Sequence, residues 1–120
     1  IRMASGEPMA FAGVWGRWKG EEDGGEALET YTIITTEANE LLGGIHDRMP
    51  VVIDPSDYGA WLGDAGEDDP EAGVERAREL MRPYPADAME AVAISTRVNK
   101  PANDDPSVIE PQEGSEGALF

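Results

Sequence analysis

Hydrophobic and polar positions alternate along this chain in short stretches, none of which holds one periodicity for long. Residues 9–18 (MAFAGVWGRW) are apolar, aromatic and punctuated by glycine, behind the turn-forming Ser5-Gly6-Glu7-Pro8, which predicts a turn and then a strand. After a polar loop at 20–25, residues 28–35 (LETYTIIT) alternate and then become fully apolar, rich in β-branched and aromatic types, as a strand entering a core does. The two strands are expected to pair as a hairpin. Residues 36–42 (TEANELL) begin with threonine, continue in helix formers and meet the double stop Gly43-Gly44, which predicts a short helix.

The second half carries more punctuation. Residues 49–53 read as a brief strand, and Pro55 at a helix N1 position opens a short helix to Leu62. An acidic loop follows over 63–69. Residues 70–81 place Val74, Ala77, Leu80 and Met81 at roughly helical spacing, with acids early and Arg76, Arg78 and Arg82 late, as the helix dipole favours. Residues 89–95 (MEAVAIS) predict another strand, 101–105 a loop, and 107–109 a single turn. Strands and short helices without βαβ alternation indicate an α+β fold. The Gly/Glu-rich end, 112–120, is expected to be a disordered acidic tail behind one domain over 1–111.

Composition narrows the function classes. A chain of 120 residues that is 40% hydrophobic can bury one small core. No apolar run reaches the roughly 18 residues of a membrane span, and no basic-then-apolar leader pattern opens the chain, so a cytoplasmic protein without membrane partners is expected. With no cysteine, neither a disulfide, a thiolate metal site nor a thiol nucleophile exists within these residues. Twenty-five acids against nine bases give a net charge of −16, which opposes free nucleic-acid binding at ordinary salt. The acids are spread through the loops, as in a salt-adapted (halophilic) proteome whose carboxylate surface is screened by salt; an acidic surface with disordered acidic loops fits the composition equally.

Few side chains could carry chemistry. His46 is the single histidine, placed after the glycine pair and flanked by Asp47 and Arg48. A histidine, with an unperturbed pKa of ~6.5, suits acid–base work near neutrality, worth roughly 10²- to 10⁴-fold. The plain alternative is a histidine at a strand mouth making an ordinary hydrogen bond. Ser5, Ser56, Ser95, Ser107 and Ser115 all lie outside a nucleophile elbow, which disfavours a serine hydrolase. Glu67-Asp68-Asp69 lacks the ligand spacing of a calcium loop, so neither a metal nor another cofactor is expected. Trp15, Trp18 and Trp61 could stack bases or pack a core. The run Ser95-Thr96-Arg97-Val98-Asn99-Lys100 offers cations and amide donors suited to phosphate; equally, it could be a loop of turn-capping asparagines.

Five blocks in order, Phe11-Ala12-Gly13-Val14-Trp15, Thr32-Ile33-Ile34-Thr35-Thr36-Glu37-Ala38-Asn39, Ile45-His46-Asp47-Arg48-Met49-Pro50, Leu80-Met81-Arg82-Pro83-Tyr84-Pro85 and Ser95-Thr96-Arg97-Val98-Asn99, are similar to the successive motifs of the SOS response-associated peptidase (SRAP) family. The resemblance covers roughly residues 8–111, and the blocks around His46 and Arg97 are the most specific.

It implies a partial β-barrel-like core with short peripheral helices and a cleft for single-stranded DNA bent at an abasic site. The implied function is abasic-site sensing through a DNA–protein crosslink, with self-processing peptidase and lyase-like activity. An N-terminal cysteine, exposed by self-cleavage, would condense with the ring-opened sugar and close a thiazolidine. A histidine matching His46 would carry protons for ring opening and crosslink reversal. Thr35 matches a pocket-lining position, and Arg48, Arg97 and Asn99 fall in motifs that face DNA or support the cleft. The resemblance puts the cysteine, a cleft asparagine and a glutamate upstream of residue 1, so the chain alone is expected not to crosslink. Its expected partners are single-stranded DNA with abasic sites and either the N-terminal half or a second copy. A non-catalytic DNA- or protein-binding remnant, and an acidic DNA mimic, are the competing readings.

Overall fold

Three stretches of the chain meet at one point and leave it in pairs. The computed structural model describes residues 1–20, 24–63 and 69–113. Within them the strands are β1 (Arg2–Met3), β2 (Ala10–Phe11), β3 (Gly13–Trp18), β4 (Leu28–Ile33), β5 (Thr35–Glu37), β6 (Arg48–Pro50), β7 (Val52–Ile53) and β8 (Met89–Glu90). The helices are α1 (Tyr58–Leu62) and α2 (Pro70–Glu79).

Between the strands, Ala12, Ile34 and Val51 close a ring of backbone hydrogen bonds. Ala12 N–H donates to Val51 O at 2.8 Å, Val51 N–H to Ile34 O at 2.9 Å, and Ile34 N–H to Ala12 O at 2.9 Å. From this junction the antiparallel arms β2–β7, β3–β4 and β5–β6 diverge, while β1 pairs with β8 as a fourth sheet. A residue at such a crossing has backbone on several sides, and Ala12 and Val51 are both 0% exposed. The small side chain at position 12 therefore follows from the topology.

Two apolar clusters flank the junction. Met3, Met49, Val52 and Met89 form one, with Met9, Leu41, Leu42 and Tyr84 against it. Ala12, Val51 and Ile53 form the other, with Ile34, Trp61 and Leu80. Residues 51–53 are buried in succession, so this short stretch feeds both clusters. Side-chain caps start the 3-10 turn Pro55–Asp57, which leads into α1, and helix α2: Asp54 accepts from Ser56 N–H just before Pro55, and Asp69 accepts from Glu71 N–H before Pro70. Helix α1 ends at Gly63, whose φ of 79° is the left-handed C-cap conformation that glycine adopts without a Cβ clash.

The α+β mixture and the β3–β4 hairpin match the sequence expectation, as do α1 and α2. Residues 36–42 do not form a helix. Thr35–Glu37 is strand β5, and the chain then turns through Leu42–Gly44, a single 3-10 turn. Cross-strand pairing with Arg48–Pro50 and burial of Asn39 outweigh a helix propensity too short to nucleate. The strand expected over 89–95 is confined to β8, with an isolated bridge at Ile94↔Pro111. Residues 21–23 of the first loop, 64–68 of the acidic loop and 114–120 of the expected tail lie outside the described residues.

Every sheet among the described residues is two-stranded, and none closes into a barrel. All residues of β3 and β4 are exposed on both faces, including Trp15 at 73% and Tyr31 at 80%. The accessible surface is 9254 Å², against about 6,300 Å² for a compact monomer of this mass. The arms thus carry apolar surface that the two clusters do not cover.

Candidate functional site

The Thr35, Arg48 and His46 side chains belong to one short arm. Strands β5 and β6 pair with Thr35↔Pro50, Thr36↔Met49 and Glu37↔Arg48 in register. From β6 the Arg48 guanidinium reaches back to the start of β5, where Nη2 donates to Thr35 O at 2.9 Å and to Thr35 Oγ1 at 3.1 Å. Among the described residues Nη2 is the guanidinium nitrogen that is engaged, and it holds the side chain along the arm.

His46 sits at the tip of the arm. The tip is closed by Ala38 N–H donating to Asp47 O at 3.1 Å, and by Ile45 and His46 N–H groups both donating to Leu42 O at 2.8 Å. The imidazole is 68% exposed. Its Nδ1 accepts the Arg48 backbone N–H at 3.1 Å and lies 3.1 Å from Asp47 Oδ1. These contacts require opposite protonation of Nδ1, because a ring nitrogen that accepts an N–H carries no proton of its own. The backbone bond is the better fixed, since the Asp47 side chain is 90% exposed and a solvated ion pair contributes little. The resting ring therefore carries its proton on Nε2.

Arg97 and Asn99 lie elsewhere, on the 3-10 turn Thr96–Asn99, which packs against a second turn, Pro106–Ile109. Ser95 Oγ accepts from Arg97 N–H at 3.2 Å and fixes the start of the turn. The Arg97 guanidinium is turned to Ser107 Oγ at 3.4 Å and Asp105 Oδ2 at 3.8 Å, and Arg97 O accepts from Asn103 Nδ2 at 2.9 Å. Asn99 is exposed on the same turn. Hydrogen bonds from the Ser107 side chain and backbone hold the Asp105 carboxyl below the usual carboxylate range.

Two further polar features sit inside the quoted motifs without having been given a role. Asn39 is the buried polar residue of the described chain, at 8% exposure. Tyr84 OH donates to Asp54 Oδ2 at 2.9 Å, tying the loop after α2 to the end of β7. The Ser56 hydroxyl and then its backbone N–H lower the Asp54 pKa, whereas desolvation first, then the Asp54 bond, raises that of Tyr84. The N-cap pattern Asp54-Pro55-Ser56 was a readable signal for the first of these; nothing local marked the second.

No helix among the described residues is long and apolar enough to cross a membrane. Among them, no group of three or more His, Cys, Asp or Glu side chains converges as metal ligands would.

The SOS response associated peptidase (SRAP) family model matches residues 1–101. The abasic site processing protein YoqW of Bacillus subtilis is 41% identical over 110 residues, which cover 92% of this chain and 46% of that protein. The abasic site processing protein HMCES of Gallus gallus is 37% identical over 106 residues, 88% of this chain and 29% of that one. A solved structure from Bacteroides thetaiotaomicron superposes with a TM-score of 0.67 at 27% identity, over 87% of this chain and 43% of its own. The chain spans less than half the length of these relatives. With nearly all of its described fold inside that match, the arm bearing Thr35, Arg48 and His46 included, the chain belongs to the SRAP family.

Proposed function

We propose that this chain is the histidine-bearing portion of an abasic-site processing domain, which acts on single-stranded DNA through a DNA–protein crosslink and has the self-processing peptidase activity of the family. The observation that carries the reading is the convergence of Thr35, Arg48 and His46 on the β5–β6 arm, within the matched residues. His46 moves the proton that opens the abasic sugar and, in reversal, the one that releases it. Arg48 contacts the DNA backbone near the cleft, and Thr35, which accepts from its Nη2, lines the pocket. Arg97 and Asn99 take a more distant part of the strand.

These 120 residues contain no cysteine, so the nucleophile comes from an N-terminal SRAP half, on the same or a separate polypeptide. That half would complete the barrel-like core by pairing with the open arms; a second copy is the competing occupant. The spread of acids supports a salt-adapted setting, in which screening lets so acidic a chain approach DNA; a cytoplasmic location is part of the same reading.

The test mixes the chain with an N-terminal SRAP half that begins at the cysteine, together with single-stranded DNA carrying an abasic site. Covalent trapping on a denaturing gel is expected, and His46→Ala is expected to slow ring opening and crosslink reversal by roughly 10²-fold or more. Absence of trapping at every salt concentration would remove the enzymatic reading. The alternative, a non-catalytic DNA- or protein-binding remnant of the fold, would give binding that is indifferent to His46→Ala.

A further inference from the structure

Asn39 lies seven positions before His46 and is buried between half-buried Ala38 and exposed Glu40. Its side chain acts in both directions. As acceptor, Oδ1 takes the Leu42 N–H at 3.0 Å, the arrangement of a capping asparagine three residues ahead of its donor. As donor, Nδ2 bonds Tyr84 O at 2.7 Å and reaches Met89 Sδ at 3.5 Å. Asn39 O also accepts from Gly43 N–H at 2.8 Å. The residue thus ties the 42–44 turn to the loop after α2 and to β8.

The chain of bonds continues to the imidazole. Leu42, whose N–H is held by Asn39, offers its carbonyl to the N–H groups of both Ile45 and His46 at 2.8 Å. His46 Nδ1 in turn accepts the Arg48 N–H at 3.1 Å, which selects the tautomer. Gly43, Gly44, Ile45 and His46 are all exposed, so packing does little to fix the tip. Two of the residues are glycines, which leave the backbone free to adopt other conformations. On the far side of the ring the β5–β6 pairing fixes Asp47 and Arg48, and on the near side the turn is fixed by the Asn39 amide.

We propose that Asn39 is the positioning residue for His46: it holds the Leu42 carbonyl where the His46 backbone is captured, and through that the ring orientation in which Nδ1 faces the Arg48 N–H and the proton sits on Nε2. The proposal rests on the acid–base reading of His46 for its importance, but not for its test.

The experiment follows the His46 ring itself, by ¹H–¹⁵N NMR of the whole chain, in Asn39→Ala, Asn39→Ser and Tyr84→Phe. The unsubstituted chain is expected to give an Nδ1 acceptor and Nε2–H pattern, with the Arg48 amide shifted by its bond to the ring. Asn39→Ala is expected to lose that amide shift and to move the ring toward the mixed tautomers of a free imidazole. Asn39→Ser keeps an acceptor for the Leu42 N–H and is expected to restore most of the pattern. Tyr84→Phe removes the bond to Asp54 but keeps the carbonyl that Asn39 uses, so it controls for general loosening and should leave the ring unchanged. An unaltered ring in a folded Asn39→Ala chain, or an equal change in Tyr84→Phe, overturns the proposal. If Asn39→Ala does not fold, a ring in Asn39→Ser as disordered as a free imidazole overturns it equally. A failure of the acid–base reading would appear separately, as DNA trapping indifferent to His46→Ala.

Discussion

Arg48 Nη2 donates to both the carbonyl and the hydroxyl of Thr35, at 2.9 and 3.1 Å, so the two residues proposed for the cleft are also each other's support. Removing one partner therefore affects the arm as well as any ligand. Thr35→Val takes away only the hydroxyl acceptor, whereas Arg48→Met takes away both bonds and the charge. For an exposed charge-assisted pair the expected losses of stability are about 1 kcal/mol or less. Thr35→Val should cost little once Arg48 is already Met. A double-mutant cycle in urea checks this; additive losses would mean that the two side chains are not coupled in solution.

Asp54 and Tyr84, joined by a hydrogen bond, are expected to make stability depend on pH at both ends of the scale. Asp54 is held below its ordinary value, chiefly by the Ser56 hydroxyl, so its contribution is present above about pH 4 and disappears as pH falls through the folded-state value. Tyr84 is raised, first by desolvation and then by Asp54, so its contribution is present below about pH 10 and disappears as pH rises through the folded-state value. Stability measured by urea midpoint at constant salt is expected to fall at both extremes. Tyr84→Phe should flatten the alkaline fall and lessen the acid one. An alkaline limb unchanged by Tyr84→Phe would place the responsible group elsewhere.

How much of this was legible in the sequence depends on the range of the interactions. The β3–β4 hairpin, α1 and α2 follow from alternation, Pro55 and Pro70 at helix starts, and the arginines late in α2, all of them local signals. Residues 36–42 misled because a local helix pattern competed with a partner strand at Arg48–Pro50, which no local window contains. Pairing of Arg2 with Glu90 is likewise invisible to any local reading. At the site, periodicity left His46 ambiguous, and the motif around it supplied the assignment. Arg97 and Asn99 came from the same kind of signal but sit on a separate turn. Asn39 carries no local signal of its role, because its partners at Tyr84 and Met89 lie 45 and 50 residues away.

The ring of bonds among Ala12, Ile34 and Val51 leaves no volume at position 12. Ala12→Val adds two methyl groups to a site that is 0% exposed and is expected to cost about 1–3 kcal/mol through overpacking. Gly16, on the exposed ribbon, is the contrasting case. A Cβ there would meet nothing within 4 Å, and its φ is not positive. Gly16→Ala is expected to be neutral or stabilising by about 0.4–1 kcal/mol, because it restricts the unfolded chain. Urea midpoints of the two variants check the pair; a tolerated Ala12→Val would show that the junction opens in solution.

The exposed ribbon is expected to govern association. Directly opposed residues share a face, so Trp15 with Tyr31 lies on one side of β3–β4 and Trp18 with Leu28 on the other. At 73%, 80%, 58% and 55% exposure, these four leave both faces apolar beside unpaired strand edges, a combination that recruits another chain. Sedimentation velocity at rising protein concentration should reveal self-association of the isolated chain. Salt should strengthen it, because screening relieves the repulsion of a net charge of −16. Trp15→Ser with Trp18→Ser should weaken it, while leaving His46 and the β5–β6 arm intact. Mixing with an N-terminal SRAP half should replace self-association by a one-to-one complex and shift tryptophan emission to shorter wavelength as the indoles leave water. A chain that stays monomeric at every salt concentration, with emission unchanged on mixing, would mean that the ribbon is solvated in use and that the complementing surface lies on another arm.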